Sequence, residues 1–402
     1  MDSTTFTTLA QLTATPEPFA FLLDELLPYL AAVPDPRHRR GCRYPLPPLL
    51  ALALVAKLAN HADLTALAHW ARLRAAELTA WLGLPRATMP HPTTWTRLFA
   101  ALDVSALERQ VAAFFTHHAT RLAPQRGVQL TLDGKTLRGT IATGSTQGVH
   151  LVAAYLPSVG CVLAQLAVTR KANELTVAPT LLAQLDLHGR VVTGDALFAQ
   201  RNLSAQIVAA GGDYLWTVKA NQPGLLDEIR WLFAPLQAGE QASDWDWRTA
   251  RTVTSGHGRI VERRLVVSGA LAGSSDWPGL AQVFQLTVRR TDKRQRRTTE
   301  TVRYGVTSLS AAVAGPVQLL RLVRGHWGIE GGLHQRRDVT LGEDASQVRT
   351  GHAPQVLACL NNVVIGLMSL QGGRNLAAVR RDFDYRFNRA LQRFALQQGH
   401  PT

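Results

Sequence analysis

Three acidic residues stand where chemistry is easiest to imagine. Asp133 follows the apolar alternation Val128, Leu130, Leu132 in VQLTLDGKTLRG, Asp195 ends VVTGD, and Glu330 lies within PVQLLRLVRGHWGIEGGLHQRRDV. Taken singly, an aspartate at a strand end is an ordinary turn former or helix cap, and a helix glutamate is ordinarily solvated. Taken together they need a common explanation, because crowded or buried carboxylates cost free energy unless paired or metal-bound. A pair of Mg²⁺ ions on hard oxygen ligands, with Mn²⁺ able to substitute, would neutralise such a group. It would also orient an attacking hydroxyl and stabilise the leaving oxygen of a phosphodiester.

Neighbouring residues admit two readings each. Lys135 shares the strand face of Asp133 and is either a phosphate contact or a surface lysine. His326, Glu330 and His334 fall four apart on one helical face, a spacing open to zinc. That reading ranks lower, since neither C-x-x-C nor H-E-x-x-H is present. His326 and Arg337 are better read as phosphate or carboxylate partners beside Glu330. The chain has no P-loop, G-x-G-x-x-G fingerprint or G-x-S-x-G elbow, so nucleotide hydrolysis, hydride transfer and acyl transfer lose support.

The elements that must position these residues change character along the 402-residue chain. Residues 1–124 read as helices with Pro-containing joints. The linker DPRHRRGCRYP, with Arg37, Arg39, Arg40 and Arg43, is either solvated or phosphate-contacting. Over 125–250 the pattern becomes strand, hairpin, helix, strand, helix, strand, helix. That β-β-β-α-β-α-β-α order predicts an α/β fold, a mixed sheet flanked by helices as in a ribonuclease H-like core. In it the first and fourth strands are neighbours, so Asp133 and Asp195 stand side by side at their ends.

Residues 251–312 are a β-rich basic insertion, and 313–402 are expected to be C-terminal helices that complete the catalytic core. On a helix turning about 100° per residue, Leu319, Val323, His326, Glu330 and Arg337 share a narrow inward stripe, while Gly331 and Gly332 weaken the helix just after Glu330. A basic tail follows through Arg374, Arg380, Arg381, Arg386 and Arg389.

Charge adds a partner class. Hydrophobic residues make up 46% and charged residues 18%, with a formal net charge of +14. Residues 251–303 alone hold 11 Lys or Arg against 4 Asp or Glu. Such a field favours a polyanion. Candidate DNA contacts are Lys135, Arg138, Lys219, Arg259, Arg263, Arg264, Arg294, Arg296, Arg297, His326 and Arg337. The N-terminal stretch carries acids within its apolar part and lacks a basic leader, so no signal peptide is expected. The apolar runs Pro48–Ala56 and Val356–Leu370 read as too short or too polar to span a bilayer, which leaves no membrane partner. Cys42, Cys161 and Cys359 have neither metal-ligand nor disulfide spacing, in keeping with a reducing cytoplasm.

The segments DPRHRRG, LDGKTLRG, KANELTVAP, LDLHGRVVTGDALFAQ, DYLWTVKANQ, HGRI and HWGIE…LH…D…ED occur in the order that resembles the DDE transposases of bacterial insertion sequences, the group with the H-repeat-associated proteins. The resemblance runs from about Leu22 to Leu370. It implies a helical N-terminal associated domain and a ribonuclease H-like catalytic domain with a β-rich insertion before the last acid. Asp133, Asp195 and Glu330 then form a triad for two Mg²⁺ ions. It implies cleavage at the ends of the protein's own element and transfer of the 3′-OH strands. Its partners would be double-stranded DNA, as terminal inverted repeats and target, and a second copy in a homodimeric synaptic complex associated with the bacterial nucleoid. The chain departs from the group at Gly331, where Asn is usual, at Val261-Glu262 after H-G-R-I, and at Arg337, where an apolar residue is common. Two rivals stay open: a transposase-derived DNA-binding protein that no longer cuts, and a metal-dependent nuclease without strand transfer.

Overall fold

The computed structural model describes residues 18–386, apart from 41, 62, 83, 85, 123–126, 169–172, 238–245, 371 and 373–374. Most of the N-terminal stretch read against a signal peptide, and Arg374 and Arg389 of the tail, lie outside the described residues. Two compact units divide the chain, one spanning Phe115–Asp338 and the other built from the segments on either side of it.

The second unit is helical. It holds α1 (Pro18–Ala31), α2 (Leu46–Leu58), α3 (Leu64–Leu73), α4 (Ala75–Leu82), α5 (Pro92–Ala101) and the start of α6 (Val104–Leu122), in which Asp63 and His91 cap α3 and α5. The last helices, α11 (Ala353–Leu370) and α12 (Leu376–Tyr385), belong here as well, whereas 313–402 was expected to complete the catalytic core. The physical reason lies in α11, which is buried on every side and therefore needs helices all around it; α1, α2, α5 and α12 supply them. By length and composition α11 is also able to cross a membrane, contrary to the reading from sequence, and 83% of it is buried within the fold. Lys57 of α2, itself buried, donates to Asn361 Oδ1 at 2.9 Å, and Asn361 donates in turn to Glu343 Oε2 at 2.9 Å. Burial pushes Lys57 down to about 8 against the pull of Glu343.

Strands dominate the other unit. In chain order they are β1 (Val128–Leu137), β2 (Val149–Leu156), β3 (Cys161–Val168), β4 (Arg190–Gly194), β5 (Asp213–Val218), β6 (Arg248–Gly256), β7 (Arg259–Ser268), β8 (Gln282–Asp292) and β9 (Thr298–Thr307). All nine form one sheet in the order β3-β2-β1-β4-β5-β9-β8-β7-β6. The first three make an antiparallel meander, and β1, β4 and β5 run parallel, with α7 (Glu174–Leu182), α8 (Arg201–Ala209) and α9 (Pro223–Gln237) between or after them. This is the mixed sheet that the ribonuclease H-like order requires.

The basic insertion does not form a separate domain. β9 pairs antiparallel with β5 from Leu215↔Thr307 to Val218↔Tyr304, so β6–β9 extend the same sheet. Without them β5 would offer an unpaired edge. Over the base of this extension packs α10 (Pro316–His326), whose Leu319, Leu320, Leu322 and Val323 share a core with Leu265, Val267, Phe284 and Leu286. Pro316 opens the helix at a position where its missing N–H costs nothing.

Candidate metal centre

The sheet sets two of the acids. β1 and β4 are parallel neighbours in the register Leu130↔Val192 and Thr131↔Thr193. The ladder ends there, and Asp133 and Asp195 each follow two residues on, at the same end of these adjacent parallel strands. A polar seam fixes the arrangement to α10: Gln129 Nε2 donates to Thr193 Oγ1 and to the Leu322 carbonyl, both at 2.9 Å. Thr131 and Thr193 hydroxyls meet at 3.2 Å. These part-buried and buried contacts tie β1, β4 and α10 to one another beneath the acids.

Glu330 arrives from the other side. After His326 the helix turns at Trp327 and continues as two wide π-helical turns, Glu330–His334 and Arg336–Thr340. Gly331 and Gly332 fall within the first, so the chain loosens there without unwinding. Gly332 lies against the Tyr155 hydroxyl of β2, where a Cβ would collide. The wide turn sends Glu330 and His334 to one side. His334 Nδ1 stands 3.6 Å from Asp133 Oδ2 and 3.6 Å from Glu330 Oε2. Both separations exceed a hydrogen bond, yet donors on one ion sit up to about 4 Å apart, twice a metal–oxygen distance. The ligand atoms of Asp133, Glu330 and His334 all lie within 4.8 Å of one another.

Electrostatics mark the same place. Burial pushes the Asp133 carboxyl up to about 7; the Gly134 N–H, donating to Oδ1 at 2.9 Å, opposes this, and Glu330, Glu174 and Asp195 add to it. Burial, helped by the Arg337 charge, holds His334 down to about 4 despite Glu330, so its ring is neutral near pH 7. His334 Nε2 is buried without a hydrogen-bond partner. Two carboxylates and a neutral imidazole at this spacing suit a divalent cation, which would offset the burial and the lesser repulsion that raise Asp133.

Asp195 is not within this set. It is exposed, and its Oδ1 accepts the Leu197 N–H at 2.9 Å, capping the short turn Ala196–Phe198. The bland reading of an aspartate at a strand end therefore describes its present hydrogen bond. It is close enough to act on both Asp133 and His326 electrostatically.

The basic candidates separate by burial. Arg337 is fully buried and donates to Gln165 Oε1 at 3.1 Å. This corrects its assignment as a DNA contact: Arg337 does point inward, as its place on the expected stripe has it, and its guanidinium bonds within the protein, whereas Glu330, expected inward on the same stripe, is exposed. Lys135 keeps only 9% of its side chain exposed and pairs with Asp338 at 2.5 Å, so it lies in the floor of the centre. Burial holds His326 down to about 4, leaving a neutral ring and no cation for phosphate. Arg138, Lys219, Arg259, Arg264, Arg294, Arg296 and Arg297 are exposed, and Arg263 is half-buried.

Sequence reading weighed His334 only as a zinc ligand with His326. Its four-residue offset from Glu330 was the available signal. His150 and Glu174 were missed: His150 Nε2 meets Glu174 Oε1 at 2.8 Å and Nδ1 meets Thr136 Oγ1 at 2.7 Å, on the sheet face opposite Asp133.

This chain belongs to the transposase DDE domain family, which matches residues 125–367, preceded by a DDE_Tnp_1-associated domain at residues 27–115. The family is one of nucleic-acid-cleaving enzymes that typically use a divalent metal. Among relatives, an uncharacterised protein from the dhlA 3′ region of Xanthobacter autotrophicus is 34% identical over 67% of this chain and 90% of its own length. YncI of Escherichia coli O157:H7, by name a candidate transposase, is 27% identical over 86% of this chain and 87% of its own. YhhI of Escherichia coli K12, by name an H repeat-associated candidate transposase, is 28% identical over 60% of this chain and 64% of its own. A solved piggyBac transposase synaptic complex with hairpin DNA aligns over 97% of this chain and 83% of that chain, with 12% identity and a TM-score of 0.46.

Proposed function

We propose that the protein is a DNA transposase that cleaves phosphodiester bonds at the ends of its own insertion sequence and joins the freed 3′-OH strands to target DNA. The observation that carries this reading is the convergence of Asp133, Glu330 and His334 from a strand and a helix far apart in sequence. Asp133, Asp195 and Glu330 would hold two Mg²⁺ ions, with His334 beside them. When bound, the metal supplies charge stabilisation for in-line displacement at phosphorus. The chain's own residues do the positioning: the Gln129–Thr193–Leu322 seam holds β1, β4 and α10 together, and Lys135 with Asp338 braces the floor beneath Asp133. No protein nucleophile is needed, because phosphoryl transfer depends on orientation and electrostatics.

The test uses the full chain with a plasmid carrying the sequences that flank its gene. Nicking that requires Mg²⁺ or Mn²⁺, followed by joined products, and lost in Asp133→Ala and Glu330→Ala, is the expected result. Asp195, engaged with Leu197 and outside the ligand set, favours a rival in which the chain binds DNA without cutting. Tight binding with no nicks under any divalent ion would establish that rival. Nicks without joined products would reduce the activity to a nuclease.

A further inference from the structure

Pleating sorts the side chains of β6–β9 onto two faces, and directly opposed residues of antiparallel strands share a face. Leu265 and Leu286, which lie in the core with α10, identify one face. The pairs Thr252↔Arg263, Arg263↔Val288, Val261↔Arg290, Arg290↔Thr299 and Leu286↔Arg303 assign Arg263, Arg290 and Arg303 to it, with Thr252, Thr299 and Thr301 between them. Arg324 of α10 is exposed on that side and acts on Arg263. No acid among the described residues occupies this face over 250–254, 261–265, 286–290 or 299–303; farther out, Arg259 is opposed by Asp292 at 3.9 Å.

The reverse face differs. Arg251, Arg264 and Arg289 share it with Glu262 and Glu300, through Arg251↔Arg264, Glu262↔Arg289 and Arg289↔Glu300. Arg251 Nε bonds Glu262 Oε1 at 2.6 Å, and Arg289 and Arg264 add to the hold on that carboxylate. Charge on this side is largely matched. On the α10 side, burial together with repulsion from Arg324 and Arg290 disfavours the charged form of Arg263. Clustered guanidinium groups that repel one another and lack acids are stabilised by a polyanion.

One further residue lies along this line. Trp327, three residues before Glu330, is 52% exposed, and the Arg303 guanidinium sits 5.4 Å from its ring centroid. The cations thus lead along one face toward the helix that carries Glu330. We infer that the α10 side of β6–β9, through Arg263, Arg290, Arg303 and Arg324, is a one-sided track for the phosphate backbone of duplex DNA, and that the reverse face takes no DNA. This rests on the reading of the chain as a DNA-processing enzyme, and it replaces Arg264 as a contact with Arg290, Arg303 and Arg324.

The experiment measures binding of the full chain to a short mixed-sequence duplex, in EDTA so that nothing is cut, across a range of salt. Two triple variants remove the same charge: Arg263→Gln/Arg290→Gln/Arg324→Gln on the α10 side, and Arg251→Gln/Arg264→Gln/Arg289→Gln on the reverse. Each phosphate contact contributes about 0.9 to the slope of log affinity against log salt. The first set should lower that slope by about 2.7, the second by less than about 1. Equal losses would mean that net charge alone matters and would overturn the track. A second readout does not depend on the variants' stability: a photocrosslinker on Thr301→Cys should capture the duplex, and one on its exposed neighbour Val302→Cys, facing the other way, should not. Both are placed in a Cys42→Ser background, since Cys161 and Cys359 are buried. Capture at 302 equal to that at 301 refutes the proposal. A chain that shows sided binding but never nicks DNA would lose the cleavage reading and keep the track.

Discussion

Replacing Asp133 by Asn should make the metal-free protein more stable. The carboxyl is lifted from 3.8 to about 7, chiefly by burial. Between those pH values the native carboxyl keeps a proton that the unfolded chain has released, so stability falls as pH rises through that window and the full penalty applies above it. A three-unit shift corresponds to about 4 kcal/mol. The side chain is still 23% exposed, so solvent screens part of this and about 2 kcal/mol is the working figure. Asparagine fits the same space, can still accept the Gly134 N–H, and carries no charge. Thermal melts in EDTA should therefore place Asp133→Asn several degrees above wild type at pH 8, at about 2–4 °C per kcal/mol for a unit of this size. The gap should shrink at pH 5. Adding Mn²⁺ should reverse the order, because only wild type gains a ligand that binds the native state. A variant less stable than wild type at pH 8 in EDTA, or a gap indifferent to pH, would refute the reasoning.

Further outcomes can be read in the same melts. Lys57 has its pKa depressed from 10.5 to about 8, so the unfolded chain holds the extra proton between those values and wild type should gain up to about 3 kcal/mol, relative to Lys57→Met, as pH climbs through them; no relative change between pH 8 and 10 would count against it. Gln165→Ala removes an acceptor from the buried Arg337 guanidinium and should cost about 1–3 kcal/mol, seen as a lower melting temperature. Gly134→Ala drives a methyl into the Glu174 carboxylate and the His150 ring and should cost about 1–3 kcal/mol; Gly134→Ala/Glu174→Ala should recover part of it, and a strictly additive double variant would disprove the clash.

What could be read from the residues alone was set by local pattern and strand order. The apolar alternation before Asp133 and the short VVTGD run predict two strands, and the meander-then-alternation order predicts their adjacency, which the register carries out. Glu330 was legible as an acid four residues from His326 and His334, but the inward stripe misplaced it: it is exposed, while Leu319, Val323 and Arg337 of that stripe are buried. The remainder depended on geometry that no periodicity encodes. A constant helical angle cannot anticipate two π-helical turns: it grouped His334 with Glu330 and put Arg337 inward, but it also put Glu330 inward, where the structure exposes it. Composition marked β6–β9 as β-rich and basic but could not say that β9 would close onto β5, since strand partners separated by some ninety residues leave no local trace. The C-terminal stretch divides: 313–338, with α10 and Glu330, lies in the unit of the sheet, and α11 and α12 lie in the other, since an all-round apolar helix joins whichever unit can surround it.

The seam between β5 and β9 makes the outer ribbon and the acid-bearing strands a single beam, joined by a hydrogen-bonded ladder and not by a tether. A load placed on the far strands travels through rung after rung to Asp133 and Asp195, as twist is shared among the strands of a sheet. Any partner that grips and flexes the distant end would therefore act on the same sheet whose strand ends carry Asp133 and Asp195.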